Sequence, residues 1–561
     1  MNQEKSASHL RIFLLATAVY LLTKWLFFKG FSGTDDLHYA NLAANVLKGS
    51  YSPIVPGDIF SARAGLVYFQ AIIYFIGGIN AFTTQIATLV VTVLCCYLTV
   101  FKLGRLKDTG PVLVACSLFY FNPVLNVATL GILPDVFVML TVIVIILLWK
   151  KVMVEKSKVQ FFLLNLSIGC IILAGMFFKE NVLIFVPLII CLGIWQKDKS
   201  GIKAAAIITA TFITGVLICG LVYWHFTGDF LFRVHQIQNS TYLNPCNYAL
   251  LPAKDLVVRL TYGVWWEFIT TGFYPVILAA FILVFRLVAE KKFKSNIPFD
   301  AACFIILLLL GLYFPFSLKG YQPLCFNARH FIFLYPFGIL IATRFIQDAF
   351  EKNGLLTKYL LSVSLLLLLC AFIGTNNKWH WMMYGLFSAY FLLLAFSKNN
   401  PLLFRTRHAG FALLLWLYMP YQLFFQNSNW FKDSQTISAQ LPGNYFYFPE
   451  HENMISWKLL HHFDTAYHCY NLDPAPFKLF VPYYEKQDSV FHPGWVIINH
   501  GFTARTPGFL EKIKHPDSQQ YFPIQKQVGD IRAYYLSDKT QYEFMQALTA
   551  RDSNNDSGCC N

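Results

Sequence analysis

Gly33-Thr34-Asp35-Asp36-Leu37-His38-Tyr39, running on through Ala40–Leu47 and closing at Gly49-Ser50-Tyr51, follows the first long apolar stretch of the chain. Thr34 is placed to cap a helix, with Asp35 and Asp36 in its first turn. Thr34, His38, Asn41, Asn45 and Lys48 recur at helical spacing as a polar stripe, while Leu37, Tyr39, Leu42, Ala43, Val46 and Leu47 fill the other side. The pattern predicts an amphipathic helix lying on a membrane or protein surface, led by two carboxylates. First-turn acids ordinarily do no more than complement the helix dipole. Whether this pair does chemistry depends on what the rest of the chain brings to the same face.

Of the 561 residues, 56% are hydrophobic and 13% charged, about half the charged fraction of a soluble domain. Apolar runs of about 17–25 residues recur over the first three quarters, predicting a polytopic α-helical membrane protein with about 13 transmembrane helices. Leu10–Phe28 reads as the first span. Pro111–Val127, Asp135–Trp149 and Val264–Phe285 each read as one unbroken span, and Phe411–Phe425 as the last. The formal charge of +14 raises the possibility of a nucleic-acid partner, but the basic residues argue against one. They cluster in alternate short loops, for example Lys102/Arg105/Lys107, Lys150/Lys151 and Lys197/Lys199/Lys203, which is the positive-inside signature. This places the N-terminus in the cytoplasm and the C-terminus outside.

The external loop 29–81 carries a second surface helix over Leu66–Gly78, headed by Arg63. From about Gln426 the composition becomes ordinary, and residues 426–550 read as a small extracytoplasmic α/β domain. Its expected strands are Asn444–Phe448, Trp495–Asn499 and Val528–Leu536, its helices Trp457–Phe463 and Pro507–Lys514. Residues 551–561 read as a disordered tail. The histidines of this region, His461 and His462 among them, lack metal-ligand spacing. Of 13 cysteines, Cys246 and Cys325 fall in external loops and could pair if that compartment is oxidising, which the sequence alone leaves open.

Charged residues gather at the outer ends of the spans: Asp35, Asp36, Asp135 and Glu180, with Arg63, Lys179, Arg233, Arg259 and Arg329. A single basic residue there ordinarily snorkels to water, as Lys24 at the end of the first span is expected to do. Several acids and bases grouped on one face instead suggest a shared cavity. A transporter or lipid flippase is the competing class, but it predicts internal repeats and charges near mid-bilayer. No repeat is visible, and the acids lie at span ends.

The opening stretch resembles the first external loop of the membrane glycosyltransferases with a GT-C fold, in the protein O-mannosyltransferase and lipid A aminoarabinose transferase group. Further landmarks follow in order. Leu133-Pro134-Asp135 is similar to that family's acid at a span head, and Leu173-Ala174-Gly175 with Phe178-Lys179 is similar to its hairpin lysine motif. Arg329-His330-Phe331 with Leu334 and Pro336 is similar to its arginine entry to a later span. The resemblance covers residues 10–425. It departs from the family at Asp36, where a Glu is more usual, and at Ala64-Gly65, where a Pro-Pro often opens the second surface helix.

The resemblance implies transfer of a sugar from a polyprenyl-phosphate donor to a lipid, glycan or protein acceptor on the outer face of a bacterial inner membrane, by inverting displacement. It implies Asp35 as general base, with Asp36 and Asp135 orienting it or holding a divalent metal ion if one is used. No other cofactor is implied. Lys179, Arg329 and Arg63 are the implied phosphate ligands, and Tyr39, His38, Glu180 and His330 the implied substrate pocket.

Overall fold

The computed structural model describes residues 2–28, 30–31, 35–196, 198–240, 246–289, 297–317, 320–351, 356–373, 378–396, 401–426, 430–449, 451–472, 491–499, 525–529 and 531–550. Among these, five helices are long and apolar enough to cross a membrane: Ser8–Leu26, Ala81–Leu103, Lys158–Met176, Lys199–Thr227 and Ala328–Asp348. Seven further apolar helices are shorter, at 10–17 residues.

Two of the shorter helices arise from a break that the hydrophobic pattern conceals. Pro111–Val127 is not one span but the helices Thr109–Tyr120 and Pro123–Ala128. Between them Asn122 turns its side chain back to accept from the amides of Val124 and Leu125, and Pro123 fills the position where an amide would go unused. Val264–Phe285 is likewise divided, into Gly263–Thr270 and Tyr274–Ala289, with Gly272 at φ +75°.

The two breaks meet and satisfy each other. Asn122 Nδ2 donates to the Gly272 carbonyl at 3.1 Å, and the Tyr274 hydroxyl donates to the Phe121 carbonyl at 2.6 Å. The Tyr384 hydroxyl donates to Ile269 at 3.0 Å. Backbone groups freed in an apolar bundle need such partners, because no water replaces them.

The first helix, α1 (Asn2–Leu26), packs on Thr109–Tyr120 through stacked Tyr20 and Tyr120 rings, with centroids 4.7 Å apart. Lys24 does not snorkel: its side chain is buried, and Nζ donates to the Asn126 backbone carbonyl at 2.9 Å and to its side-chain oxygen. The segment Pro123–Ala128 supplies that partner across 102 residues of sequence, which local sequence does not reveal.

Helix α2 (Asp35–Leu47) forms where the pattern predicts, but it is not a surface helix. Asp35 through Ala44 are all buried. Helix α3 (Ala64–Gly77) lies against it on one side, and the helix His451–Leu460 from the C-terminal part lies against it on another. Leu37 and Ala44 pack there with Ile455, Leu459 and Phe463. His462 donates from Nδ1 to the Ile79 carbonyl at 2.6 Å.

The C-terminal part is a five-stranded sheet in the order β2-β1-β3-β5-β4. Its strands are β1 (Tyr445–Phe448), β2 (His468–Asn471), β3 (Gly494–Asn499), β4 (Gln525–Val528) and β5 (Ile531–Leu536). Strand β1 pairs parallel with β2 and β3, and β5 pairs antiparallel with β3 and β4. One face carries Phe446, Trp457, Trp495 and Ile497, the other Tyr447, Val496, Ile498 and Met545. A central strand covered on both faces reads as an unbroken apolar run, as β3 does.

Three expectations for this region change. Val528–Leu536 is the end of β4 and all of β5, with a turn at Gly529 between them. Of Trp457–Phe463 only residues 457–460 are helical, as the tail of a helix that starts at His451, and residues 461–463 form a turn. Strand β2 and the helix Lys539–Ala550 were not anticipated. Pro507–Lys514 and 551–561 lie outside the described residues.

Candidate active site

Four local structures bring charge to one place. Asp35 opens α2, and Asp135 opens the helix Asp135–Val152 directly after Pro134. Lys179 and Glu180 lie at the tip of a tight hairpin that ends the helix Lys158–Met176. Gly175 makes that hairpin possible: a Cβ there would sit 2.9 Å from Val182. Arg329 stands in the 3-10 turn Ala328–Leu334, where the Asn327 side chain accepts from the Arg329 amide and Glu267 accepts from the Ala328 amide.

Arg63 ends the loop before α3. Gly65 brings this loop to the hairpin, donating its amide to the Phe177 carbonyl at 2.9 Å, and a Cβ at Gly65 would lie 3.1 Å from the Phe177 backbone. The Ala64-Gly65 departure from the resembled family therefore has a physical use here. Arg233 fastens the same corner, donating to the carbonyls of Ala62 and Met176. Arg259 serves elsewhere, capping the end of the helix Phe299–Tyr313 through the Gly311 and Leu312 carbonyls.

Three ion pairs result. Arg329 Nη2 lies 2.5 Å from Asp35 Oδ2, and Lys179 Nζ 2.6 Å from Asp135 Oδ1. Arg63 grips Glu180 with two arms, at 2.6 and 3.1 Å, and donates a further bond to the Tyr39 hydroxyl. Burial pulls the Lys179 ammonium below the usual lysine range; Asp135 offsets this in part, and Arg63 and Arg329 reinforce it.

Asp35, Lys179, Arg63 and Glu180 from these pairs border a cavity of about 970 Å³ including its open mouth. Its polar wall holds Asp35, Arg63, Lys179, Glu180, Asn181 and His330. Apolar side chains complete the lining, among them Met176, Leu183, Ile237, Phe316 and Leu324. Gln238 and Gln322, also in the lining, carry no sequence signal, because amide side chains are common and only the fold turns them inward.

Of the ten residues expected at a site, Asp35, Arg63, Lys179, Glu180 and His330 border the cavity, whereas Asp36, His38, Tyr39, Asp135 and Arg329 are not among its lining residues. Tyr39 is wholly buried with its hydroxyl on Arg63, so it supports the wall rather than facing a sugar. His38 packs on the Phe60 ring with centroids 5.2 Å apart, and burial pushes its imidazole down to about 4 against the pull of Asp35. Asp36 is fully buried, with Oδ1 accepting from the Leu37 amide.

Among the described residues no three His, Cys, Asp or Glu side chains gather as a metal site. Asp36 faces Gly131 and Asp135 faces Lys179. This donor set does not fit a divalent ion, and no step is derived through one.

Gly131 seats Asp36: a Cβ there would come within 2.6 Å of the Asp36 Cβ and 2.7 Å of its Oδ2. Gly131→Ala is therefore expected to destabilise the fold by about 1–3 kcal/mol through overpacking, read as a fall in the thermal midpoint of the purified protein. An unchanged midpoint would show that the loop yields freely.

Cys246 and Cys325 form a disulfide, and Pro323, Leu324 and Cys325 lie on the cavity wall. The bond closes a separation of 79 residues. Its removal in Cys246→Ser/Cys325→Ser should lower stability by about 2–4 kcal/mol and enlarge the cavity mouth. Thermal unfolding with and without reductant measures the first effect; a midpoint indifferent to reductant would contradict it.

No protein-family model and no curated protein matches the chain. Solved structures do. ArnT from Cupriavidus metallidurans in the apo state is similar at a TM-score of 0.58 and 10% identity, over 93% of this chain and 97% of that one. The same protein bound to undecaprenyl phosphate is similar at 0.55 and 11%, over 94% and 98%. The Archaeoglobus fulgidus oligosaccharyltransferase in the apo form gives 0.49 and 11%, over 92% and 72%. At such identity the likeness to ArnT is one of fold: the chain has the GT-C fold that its motifs resemble.

Proposed function

We propose that this protein is a membrane glycosyltransferase that moves a sugar from a polyprenyl-phosphate donor to an acceptor at the outer face of the membrane. In this reading residues 1–425 form a catalytic domain of about 13 spans with a cytoplasmic N-terminus. Residues 426–550 form an extracytoplasmic domain that closes over α2. The Cys246–Cys325 disulfide favours an oxidising compartment at the cavity face.

The observation that carries the proposal is one cavity lined by a carboxylate, Asp35, and a lysine, Lys179, together with apolar side chains. The apolar lining suits the first isoprenes of the donor, and Lys179 and Arg63 suit its phosphate. ArnT, which shares the fold, has been solved bound to undecaprenyl phosphate.

Asp35 takes the proton of the acceptor hydroxyl as its oxygen attacks the anomeric carbon. The bond from that carbon to the phosphate oxygen breaks on the opposite side, so the configuration inverts. The polyprenyl phosphate leaves with the bonding electrons, and Lys179 and Arg63 stabilise the charge it gains. The identity of the sugar and acceptor is the open variable of the assay. Purified protein in nanodiscs is offered a panel of polyprenyl-phosphate sugars, and release of free polyprenyl phosphate supports the reaction class. A folded protein that neither binds nor turns over any member of the panel would contradict it.

A further inference from the structure

We propose that Arg329 is a positioning residue for Asp35 and does not bind the donor phosphate, contrary to its sequence-based expectation; this rests on the glycosyltransferase reading above. Two of the three ion pairs are built to one plan with reversed polarity. In the first, Asp35 lines the cavity and its partner Arg329 is not among the lining residues. In the second, Lys179 lines the cavity and its partner Asp135 is not among them. Each pair contributes one of its two charges to the lining. The third pair differs, since both Arg63 and Glu180 border the cavity.

The cavity-facing lysine keeps donors available. Among the described residues Lys179 makes a single hydrogen bond, to Asp135 Oδ1, out of the three its ammonium allows. A phosphate entering the cavity meets Lys179 and Arg63 in its lining, whereas Arg329 is not a lining residue and donates to the Asp35 carboxylate.

A cation in that place has a different use. It keeps Asp35 ionised and fixes its direction without standing between the carboxylate and the acceptor proton. The Arg329 turn is itself held by Asn327 and Glu267, so the direction of the base is set by a rigid support. Misplacing a reacting group by about 1 Å can lower a rate by about 10²-fold.

The test separates binding from turnover in the full-length protein. Affinity for undecaprenyl phosphate is measured in nanodiscs, and single-turnover rate with the donor that the panel identifies. Arg329→Gln is expected to hold its affinity within about threefold of wild type while the rate falls about 10²-fold. Arg329→Lys is expected to recover part of the rate at unchanged affinity. Lys179→Gln is expected to lose about 10–100-fold in affinity, as removal of a charge-assisted contact predicts.

If Arg329→Gln loses affinity as Lys179→Gln does, the positioning role is overturned and the glycosyltransferase reading stands. If wild-type protein neither binds undecaprenyl phosphate nor turns over a donor, that reading falls and takes this inference with it. Should Arg329→Gln alone fail to fold, the neutral pair Asp35→Asn/Arg329→Gln puts the same question to affinity: retention supports the positioning role and loss overturns it.

Discussion

Asp35→Asn is expected to lower the release of polyprenyl phosphate by about 10²–10⁴-fold, the range that a positioned general base contributes. Asn keeps the shape of the side chain and can still accept from Arg329, but it cannot take a proton. The variant also removes the Asp35 charge that Arg329 pairs with, and breaking a fully buried pair from one side costs about 3–5 kcal/mol, an upper bound here because the Arg329 side chain is 12% exposed. Rates therefore have to be compared well below the thermal midpoint of the variant. Turnover at the wild-type rate in folded Asp35→Asn would remove Asp35 as the base.

Lys179→Gln is expected to act on stability and binding together. Asp135 is 2% exposed, and its Oδ2 already lacks a hydrogen-bond partner among the described residues. Removing the lysine strands that carboxylate, at about 3–5 kcal/mol, and takes a cation from the cavity wall. The two effects part in Lys179→Gln/Asp135→Asn, where no charge is left buried alone. Thermal stability should largely return, while affinity for undecaprenyl phosphate should stay about 10–100-fold reduced. Recovery of affinity in the double variant would mean that Lys179 only supports the fold.

The local elements of the site were legible in the sequence because each carries a local signal. Paired acids at a helix start, an acid after Pro134, and a Lys-Glu-Asn tip between two apolar runs are all visible without neighbours. Which charges face the cavity was not legible. The sequence places Asp35 and Asp36 side by side, yet Asp35 borders the cavity while Asp36 turns to Gly131. One residue along a helix is a rotation of about 100°, and only the packing of α3 and His451–Leu460 on α2 fixes which acid faces inward.

The errors in the fold have one cause. Hydropathy averages over about 19 residues, so it passes over Asn122-Pro123 and Thr271-Gly272, where the surrounding chain is apolar on both sides. The amide and hydroxyl groups that satisfy these breaks come from residues more than a hundred positions away, as Asn122 does for Gly272. Lys24 was misplaced for the same reason, its partner Asn126 lying in another helix. Burial of α2 comes from α3 and, in part, from the helix His451–Leu460 some 400 residues downstream, and no amphipathic pattern distinguishes water from a late-arriving protein surface.

The three ion pairs also set an order of assembly during synthesis. Their partners are 44, 117 and 294 residues apart, for Lys179–Asp135, Arg63–Glu180 and Arg329–Asp35 respectively. By the time the ribosome has passed residue 180, the first two pairs have both members. At about 5–20 residues per second, the chain then needs on the order of ten seconds or more to deliver Arg329. Cys325 and Arg329 then arrive four residues apart, so closure of the disulfide and capture of the carboxylate fall in the same stage of biogenesis.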